Sequence, residues 1–510
     1  MTPATLIALA LLIPAATALL IPLFAGRPNL REGVTILGAV LLFLAVLRLL
    51  PVVLGGATSA LPVWTVIPGL AIAFAVEPLG MLFALIASGL FVVNSVYSIG
   101  YMRAEKAPRQ TLFYVCFALA IAATMGIALA GNLFTLFLFT LFLFYELLTF
   151  TTWPLVTHRA TPEARRAGRL YLMMLFGAST VLLLPAIAWT GIVAGTLDFV
   201  PGGILGSHVD DLELGILLAL FVFGAAKAAV MPFHAWLPAA MVAPTPVSAL
   251  LHAVAVVKAG VFTILKVVVY VFGVGTLASS HGGDWLVVVA GITIVSASLI
   301  ALRQDNLKRR LAYSTISQLS YVVLAAALFT PLAILGAALH IAAHAVSKIT
   351  LFFAAGSIHV GAHVDEVSRM DGVGRKQPWT MASFTIAALS MIGVPPTAGF
   401  LGKWFILLAA VQIGEWFAVA VIVVSTLLNA GYFLPIVYRA FARAPEAGGG
   451  GIAESPWPMV ASLVVTAAVT VLLFAFPGAP FELAEMLAGA ATIDAGGSGV
   501  VEFPPGGTNP

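Results

Sequence analysis

Long apolar runs separated by short polar loops fill the chain from its first residues to about position 476. Runs near 4–25, 33–54, 69–100, 111–130, 132–156, 169–195, 213–231, 247–271, 284–302, 311–329, 331–358, 380–412, 414–438 and 457–476 come close to or exceed the roughly 20 residues a helix needs to cross a bilayer. The pattern predicts an all-α polytopic membrane protein with about 14 transmembrane helices.

Two runs are interrupted in corresponding places. The seventh reads Phe223-Gly-Ala-Ala-Lys227-Ala-Ala-Val-Met-Pro232 and continues to Pro238, Pro244 and Pro246; the twelfth reads Ile392-Gly-Val-Pro395-Pro396-Thr-Ala-Gly-Phe-Leu-Gly-Lys403. Proline and glycine break helical hydrogen bonds, and backbone freed at membrane depth is tolerated only inside protein or beside water. The breaks lie five helices apart. Helices 4–8 (residues 111–271) and 9–13 (residues 284–438) therefore read as two five-helix units, and an odd number of helices makes the second inverted relative to the first. This reading rests on topology, since the halves share little residue identity. Residues 1–110 hold the first three helices, 457–476 the last, and 477–510 a flexible tail that is Gly- and Pro-rich from Gly496.

Loop charges set the sidedness. Arg27/Arg31, Arg103/Lys106/Arg109, Arg159/Arg165/Arg166, Arg303/Lys308/Arg309/Arg310, Arg369/Arg375/Lys376 and Arg439/Arg443 fall in alternate loops, and the intervening loops are neutral or acidic, as at Asp210 and Asp211. Basic loops stay cytoplasmic, so both termini are expected outside, together with the acidic Glu482, Glu485, Asp494 and Glu502. The apolar start has no basic residue before it and is long enough to span, which reads as a first helix rather than a signal peptide.

Composition agrees with a lipid environment: 61% of residues are hydrophobic and 9% charged. The net charge of +3 comes mostly from the short loops and is no sign of a nucleic-acid partner. The single cysteine, Cys116, excludes an internal disulfide and Cys-rich Fe–S or zinc sites. No phosphate loop, nucleophile elbow or dinucleotide fingerprint is present, so no cofactor is expected.

Against this apolar background stand Glu146, Lys227, His252, Lys258, His340, His344, Lys348 and Lys403. A charge at bilayer depth costs roughly 2.5–3.5 kcal/mol on insertion scales, so such residues are rare unless they pair or line a polar path. Glu146 closes the apolar stretch Phe137–Tyr145 and needs a partner; Lys227, too deep to snorkel, is the natural one. The pair is either a proton-relay element or a structural ion pair. His340, His344 and Lys348 are spaced i, i+4, i+8, which stacks them on one face as a short proton wire. His-x3-His could also hold zinc, but no Cys or carboxylate ligand lies within that helix. His252 and Lys258, six apart, fall on different faces of a regular helix, and Lys258 is the deeper charge. Lys403 follows the second break and is expected to reach a cavity there. His359 and His363 read as interfacial.

These residues carry a family resemblance. The run Ala226-Lys227-Ala-Ala-Val-Met-Pro-Phe-His-Ala-Trp-Leu-Pro-Ala-Ala-Met-Val-Ala-Pro244-Thr-Pro-Val-Ser-Ala-Leu-Leu-His252 resembles the signature of the antiporter-like subunits shared by Mrp-type multisubunit Na+/H+ antiporters, respiratory complex I and membrane-bound hydrogenases. Leu311–Ser320, His340–Gly356, Pro395–Lys403 and, more weakly, Ser98–Met102 resemble the same family, over roughly residues 70–440. The resemblance implies a glutamate–lysine pair at Glu146 and Lys227, a link between halves at Lys258 or His252, the file His340, His344 and Lys348, and outward release at Lys403. It further implies other membrane subunits as partners, protons and monovalent cations as cargo, contact with membrane lipid, and residence in a bacterial plasma (inner) membrane. A lysine at 403 and the absence of a long lateral helix resemble the D-type subunit of Mrp antiporters. The alternative is a proton-pumping, non-redox subunit of an NADH–quinone oxidoreductase or an energy-converting hydrogenase.

Overall fold

Prolines and short polar caps set where many of the helices begin. Pro3, Pro28, Pro78, Pro162, Pro331 and Pro378 each occupy a first helical position, where the missing N–H costs nothing. The hydroxyls of Thr2, Thr161 and Thr330 cap three of these starts, and Asp210 with Glu213 forms a reciprocal capping box. The computed structural model describes residues 1–57, 59–67, 70–135, 144–444 and 452–493. Residues 137–143 of the Phe137–Tyr145 stretch, Asp494, Glu502 and the glycine-rich end lie outside the described residues.

The helices are α1 Pro3–Leu20, α2 Pro28–Leu54, α3 Pro78–Ala104, α4 Gln110–Ala128, α5 Glu146–Val156, α6 Pro162–Ala194, α7 Asp211–Gly224, α8 Thr245–Phe272, α9 Trp285–Arg303, α10 Leu307–Ala327, α11 Pro331–Ala362, α12 Pro378–Ile392, α13 Ala398–Gln412, α14 Trp416–Ala442, α15 Trp457–Ala475 and α16 Gly478–Ala490. Among the described residues, 10 helices are long and apolar enough to cross a membrane, and α12 and α13 are shorter apolar helices. The 32-residue α11, about 48 Å long at 1.5 Å per residue, is buried from Ala333 to Ile358. It packs against α3, α10, α12, α13, α15 and α16. α8 is buried throughout, as a helix apolar on nearly every side must be. By contrast α1, α2, α6, α14 and α15 leave large side chains such as Leu19, Leu37, Met173, Leu427 and Leu472 exposed.

Two expectations are corrected. The third helix starts at Pro78 and not near 69, because Ser59–Ile67 and Leu70–Val76 pair as antiparallel strands β1 and β2, so the fold is not all-α. Apolar content alone does not separate strand from helix in so short a run. Glu77 fixes the boundary: its carboxylate accepts from the Leu79 and Gly80 N–H groups and caps α3. At the other end, Gly478–Ala490, expected as flexible tail, is the helix α16, with Leu483, Ala484, Leu487 and Ala488 buried. It lies against α3 and α11.

Both expected breaks are present. α7 stops at Gly224, a short 3-10 turn spans Ala226–Ala228, and Ala229 turns left-handed at φ +57°. α12 stops at Gly393, whose φ of +93° suits glycine, and α13 resumes at Ala398. The freed backbone is satisfied inside the protein. The Trp236 indole donates to the Ala226 carbonyl at 3.0 Å and the Met231 N–H to Thr293 Oγ1 at 3.3 Å. At the second break the Gln318 side chain donates to the Met391 carbonyl at 3.1 Å.

The basic loops meet at one end of the bundle. Arg103 pairs with Glu32, Arg109 donates to the His158 carbonyl, and His359 faces Glu105. Asp305 accepts from Ser368, and Arg439 and Arg443 both reach Asp371. Each of the six basic loops is joined to another at this end.

Candidate functional site

The first break positions Lys227. Buried with no access to solvent, its Nζ lies 3.4 Å from Glu146 Oε1 and 3.4 Å from the centroid of the Tyr145 ring. Ser179, which opens a π-helical turn in α6, donates to the same Oε1 at 2.6 Å. Glu146, Lys227 and Ser179 thus form one contact across α5, α6 and the break.

Helix α8 follows directly. Gly260 lies so close to the break that a Cβ there would meet Ala228 N at 2.0 Å, which seats α8 directly against the Lys227–Ala228 peptide. Lys258 Nζ donates to the Ile341 carbonyl at 3.0 Å and lies 2.8 Å from His344 Nδ1. The expectation that His252 and Lys258 occupy different faces is corrected. His252 packs against Phe352 of α11, ring centroids 4.6 Å apart, so both side chains face α11. The reason is local: Leu250–Val254 forms a π-helical turn and Ala255 is distorted to φ −117°, so the 3.6-residue phase is not kept between them.

Along α11 the imidazoles of His340 and His344 are 6.3 Å apart, as the i, i+4 spacing predicts. His340 Nε2 contacts the Gln318 carbonyl at 3.1 Å, and Lys348 Nζ donates to Ser314 Oγ at 2.8 Å. Among the described residues His340 Nδ1, His344 Nε2 and both ring nitrogens of His252 have no hydrogen-bond partner. His252, His340, His344 and Lys348 are all fully buried.

Lys403 differs from expectation. It is buried, and its Nζ donates to the Met391 carbonyl at 2.6 Å and the Ile392 carbonyl at 3.2 Å, 4.8 Å from the Tyr321 ring centroid. The last carbonyls of α12 carry the negative end of its dipole, so an ammonium is seated there rather than in an open cavity. Gly402 allows this: a Cβ would meet His340 Cα at 2.7 Å, so α13 presses directly on α11. Gln318 joins the two neighbours, since its carbonyl faces His340 and its side chain shares the Met391 carbonyl with Lys403.

Sequence reasoning missed a second ion pair, whose lysine is buried and whose glutamate is partly so. Lys266, two helical turns beyond Lys258, is 2.9 Å from Glu77 Oε1 and donates to the Ala130 carbonyl at 2.9 Å, while Tyr270 donates to Glu77 Oε2 at 2.9 Å. It missed Ser179 and Gln318 as well. At the basic end, Lys308, Arg159, His359, Asp365, Tyr101 and Thr245 line a cavity of about 140 Å³. The hydrogen bond from His359, with the nearby cations Lys308 and Arg159, holds the Asp365 carboxyl below the usual carboxylate range.

The site is thus a line of buried carboxylate, ammonium and imidazole groups running between two broken helices. Comparison with known proteins identifies the family. Residues 135–429 match the model of a family described as NADH:quinone oxidoreductase/Mrp antiporter, transmembrane. The chain is 33% identical to NADH-quinone oxidoreductase subunit N of Desulforudis audaxviator, over 73% of this chain and 74% of that protein. It is 30% identical to the A-type Na(+)/H(+) antiporter subunit of Alkalihalophilus pseudofirmus, over 81% of this chain but only 53% of that longer protein. Its fold matches a chain in a structure of the Mrp complex from Dietzia sp. DQ12-45-1b with a TM-score of 0.83, 23% identity, and coverage of 96% and 97% of the two chains. The broken helices and the buried charges they carry lie within the matched residues, and the chain belongs to the NADH:quinone oxidoreductase/Mrp antiporter transmembrane family, as an integral membrane protein.

Proposed function

We propose that this chain is the proton-conducting, D-type component of a multisubunit monovalent cation/proton antiporter, with Na+ the expected cation. The carrying observation is that each broken helix presents a buried lysine, Lys227 and Lys403, and that Lys258, His344 and His340 stand between them. In this reading Glu146 holds the Lys227 ammonium. When the pair separates, Lys227 gives up its proton to the file; Lys258 passes one to His344 Nδ1 as it becomes a neutral amine. His344 and His340 relay through the ring nitrogens that lack partners, Lys348 and His252 flank the file, and Lys403 discharges at the second break. Uptake through the basic-end cavity beside His359 fits the position of His252 above it in α8.

The same proposal takes the chain as fourteen spans with helices 4–8 and 9–13 as inverted units, basic loops cytoplasmic and both termini outside in a bacterial plasma membrane. The meeting of all six basic loops at one end supports it. A second reading, a proton-pumping subunit of an NADH–quinone oxidoreductase or hydrogenase, is favoured by the 33% identity to an oxidoreductase subunit. Gentle purification followed by identification of co-purifying chains separates them: small membrane subunits support the antiporter, whereas flavin and Fe–S subunits overturn it. Cation-dependent collapse of a pH gradient in everted vesicles, lost in Lys227→Ala at equal membrane level, tests conduction itself.

A further inference from the structure

A cleft of about 680 Å³ lies at the basic end between the start of α4, α5 and α6, lined by Arg109, Trp153, Thr157, Pro162, Arg165 and Arg169, with Ala160 completing it. Its volume falls in the range of ligand sites, roughly 300–1,000 Å³. Three guanidinium groups line it and no carboxylate does. Arg165 and Arg169 are four apart on α6 and so share a face, an arrangement that is unfavourable for like charges unless an anion answers them. None of the three forms a salt bridge among the described residues. Glu163 and Arg166 stand nearby on α6 but do not line the cleft. Topology explains why arginines sit at this end; it does not explain their convergence from two separate loops on one hollow.

The surface below the arginines is apolar and outward-facing. Met173, four residues after Arg169 on the same face of α6, is 74% exposed, and Phe150 on α5, one turn before Trp153, is 44% exposed. Trp153 lies between, its indole packed where Gly168 leaves α6 without a side chain. A ligand with an anionic head and an apolar tail matches this sequence of arginine, tryptophan and exposed hydrocarbon, and free phosphate matches only its top. Basic hollows between transmembrane helices at the cytoplasmic boundary have the chemistry for phospholipid headgroups.

We propose that this cleft binds the headgroup of an anionic phospholipid, held by Arg109, Arg165 and Arg169 with its acyl chains along α5 and α6. Arginine suits this role because its planar fork donates two hydrogen bonds to one phosphate. The test uses the complex purified from membranes, stripped of lipid and offered cardiolipin or phosphatidylethanolamine, with retained lipid counted by native mass spectrometry. Wild type should retain cardiolipin in clear preference, and Arg165→Gln/Arg169→Gln should weaken that retention roughly 30-fold, from about fivefold per arginine. Arg27→Gln/Arg375→Gln removes the same charge from the same end outside the cleft and should leave retention unchanged. An equal loss in that control, unchanged retention in the cleft variant, or full replacement of cardiolipin by millimolar inorganic phosphate would each overturn the proposal. So would crosslinking of a partner chain to Thr157→Cys in native membranes, because the cleft would then be a protein interface.

Discussion

Lys258 Nζ sits 2.8 Å from His344 Nδ1, which makes this contact the bridge between α8, just after the first break, and the histidine file on α11. A lysine and an imidazole cannot both be cationic at this distance inside the bundle without a large repulsion, so one proton is shared between them or both groups are neutral. Transfer along the line passes through this contact in the proposed mechanism. Lys258→Met should therefore lower cation/proton exchange at least tenfold while the protein inserts normally, and His344→Gln, which keeps a hydrogen-bonding group but cannot carry a proton, should do nearly as much. Exchange near the wild-type rate in either variant, measured in everted vesicles, would remove the bridge from the path.

The pair Glu146 and Lys227 makes a different kind of prediction, because in the proposed mechanism both stability and conduction depend on it. Removing one member leaves a buried charge without its partner, a loss of roughly 3–5 kcal/mol for a fully buried pair. Glu146→Gln and Lys227→Met should each lower the melting temperature clearly, and the double variant should recover much of that loss while exchange stays absent. If the double variant melts no higher than the singles, the two residues do not act as a pair.

Legibility followed the physics of each position. Glu146, Lys227 and the α11 file stood out because charge inside an apolar run is expensive enough to demand a reason. Their partners were harder to see. Ser179 and Gln318 are ordinary polar residues in sequence, and only the fold brings them to Glu146 Oε1 and to the Met391 carbonyl. The shared orientation of His252 and Lys258 depended on a π-helical turn that no residue pattern announces. The strand pair before α3 was hidden by its apolar content, and with it the cap role of Glu77, so the lysine that Glu77 holds had no visible reason to stand out.

That pair, Glu77 and Lys266, ties the start of α3 to α8 and should be structural. Every polar atom at its centre has a partner: Glu77 accepts from Lys266, Tyr270 and two backbone N–H groups, and Lys266 also meets the Ala130 carbonyl. Glu77 keeps some solvent access, with 16% of its side chain exposed, so Lys266→Met should cost about 2–3 kcal/mol, somewhat less than a fully buried pair. Exchange per folded molecule should be unchanged. Thermal unfolding of the detergent-purified protein, paired with transport normalised to membrane level, reads the two effects separately. A transport loss far exceeding the loss of folded protein would place Lys266 in the conducting line.

The end of the line at the second break turns on Lys403. Its Nζ rests on the Met391 and Ile392 carbonyls at the end of α12, beside Gly393 and the second break. Two roles fit that seat. As a carrier, Lys403 must lose its proton in each cycle; as a fixed cation, it need only answer the α12 carbonyls and repel a passing ion. Arginine separates them, because guanidinium donates to carbonyls as readily but does not deprotonate at any accessible pH, its pKa lying above about 12. If Lys403 is the carrier, Lys403→Arg should fail nearly as completely as Lys403→Ala at every pH from about 6 to 9. If it is a fixed cation, the arginine variant should keep much of the wild-type rate, and only alanine should fail. The larger guanidinium must also fit where Gly402 presses on His340, so membrane level and melting temperature need to be measured alongside transport. A well-inserted arginine variant that exchanges at close to the wild-type rate would eliminate Lys403 as a carrier and leave it as the charge that closes α12.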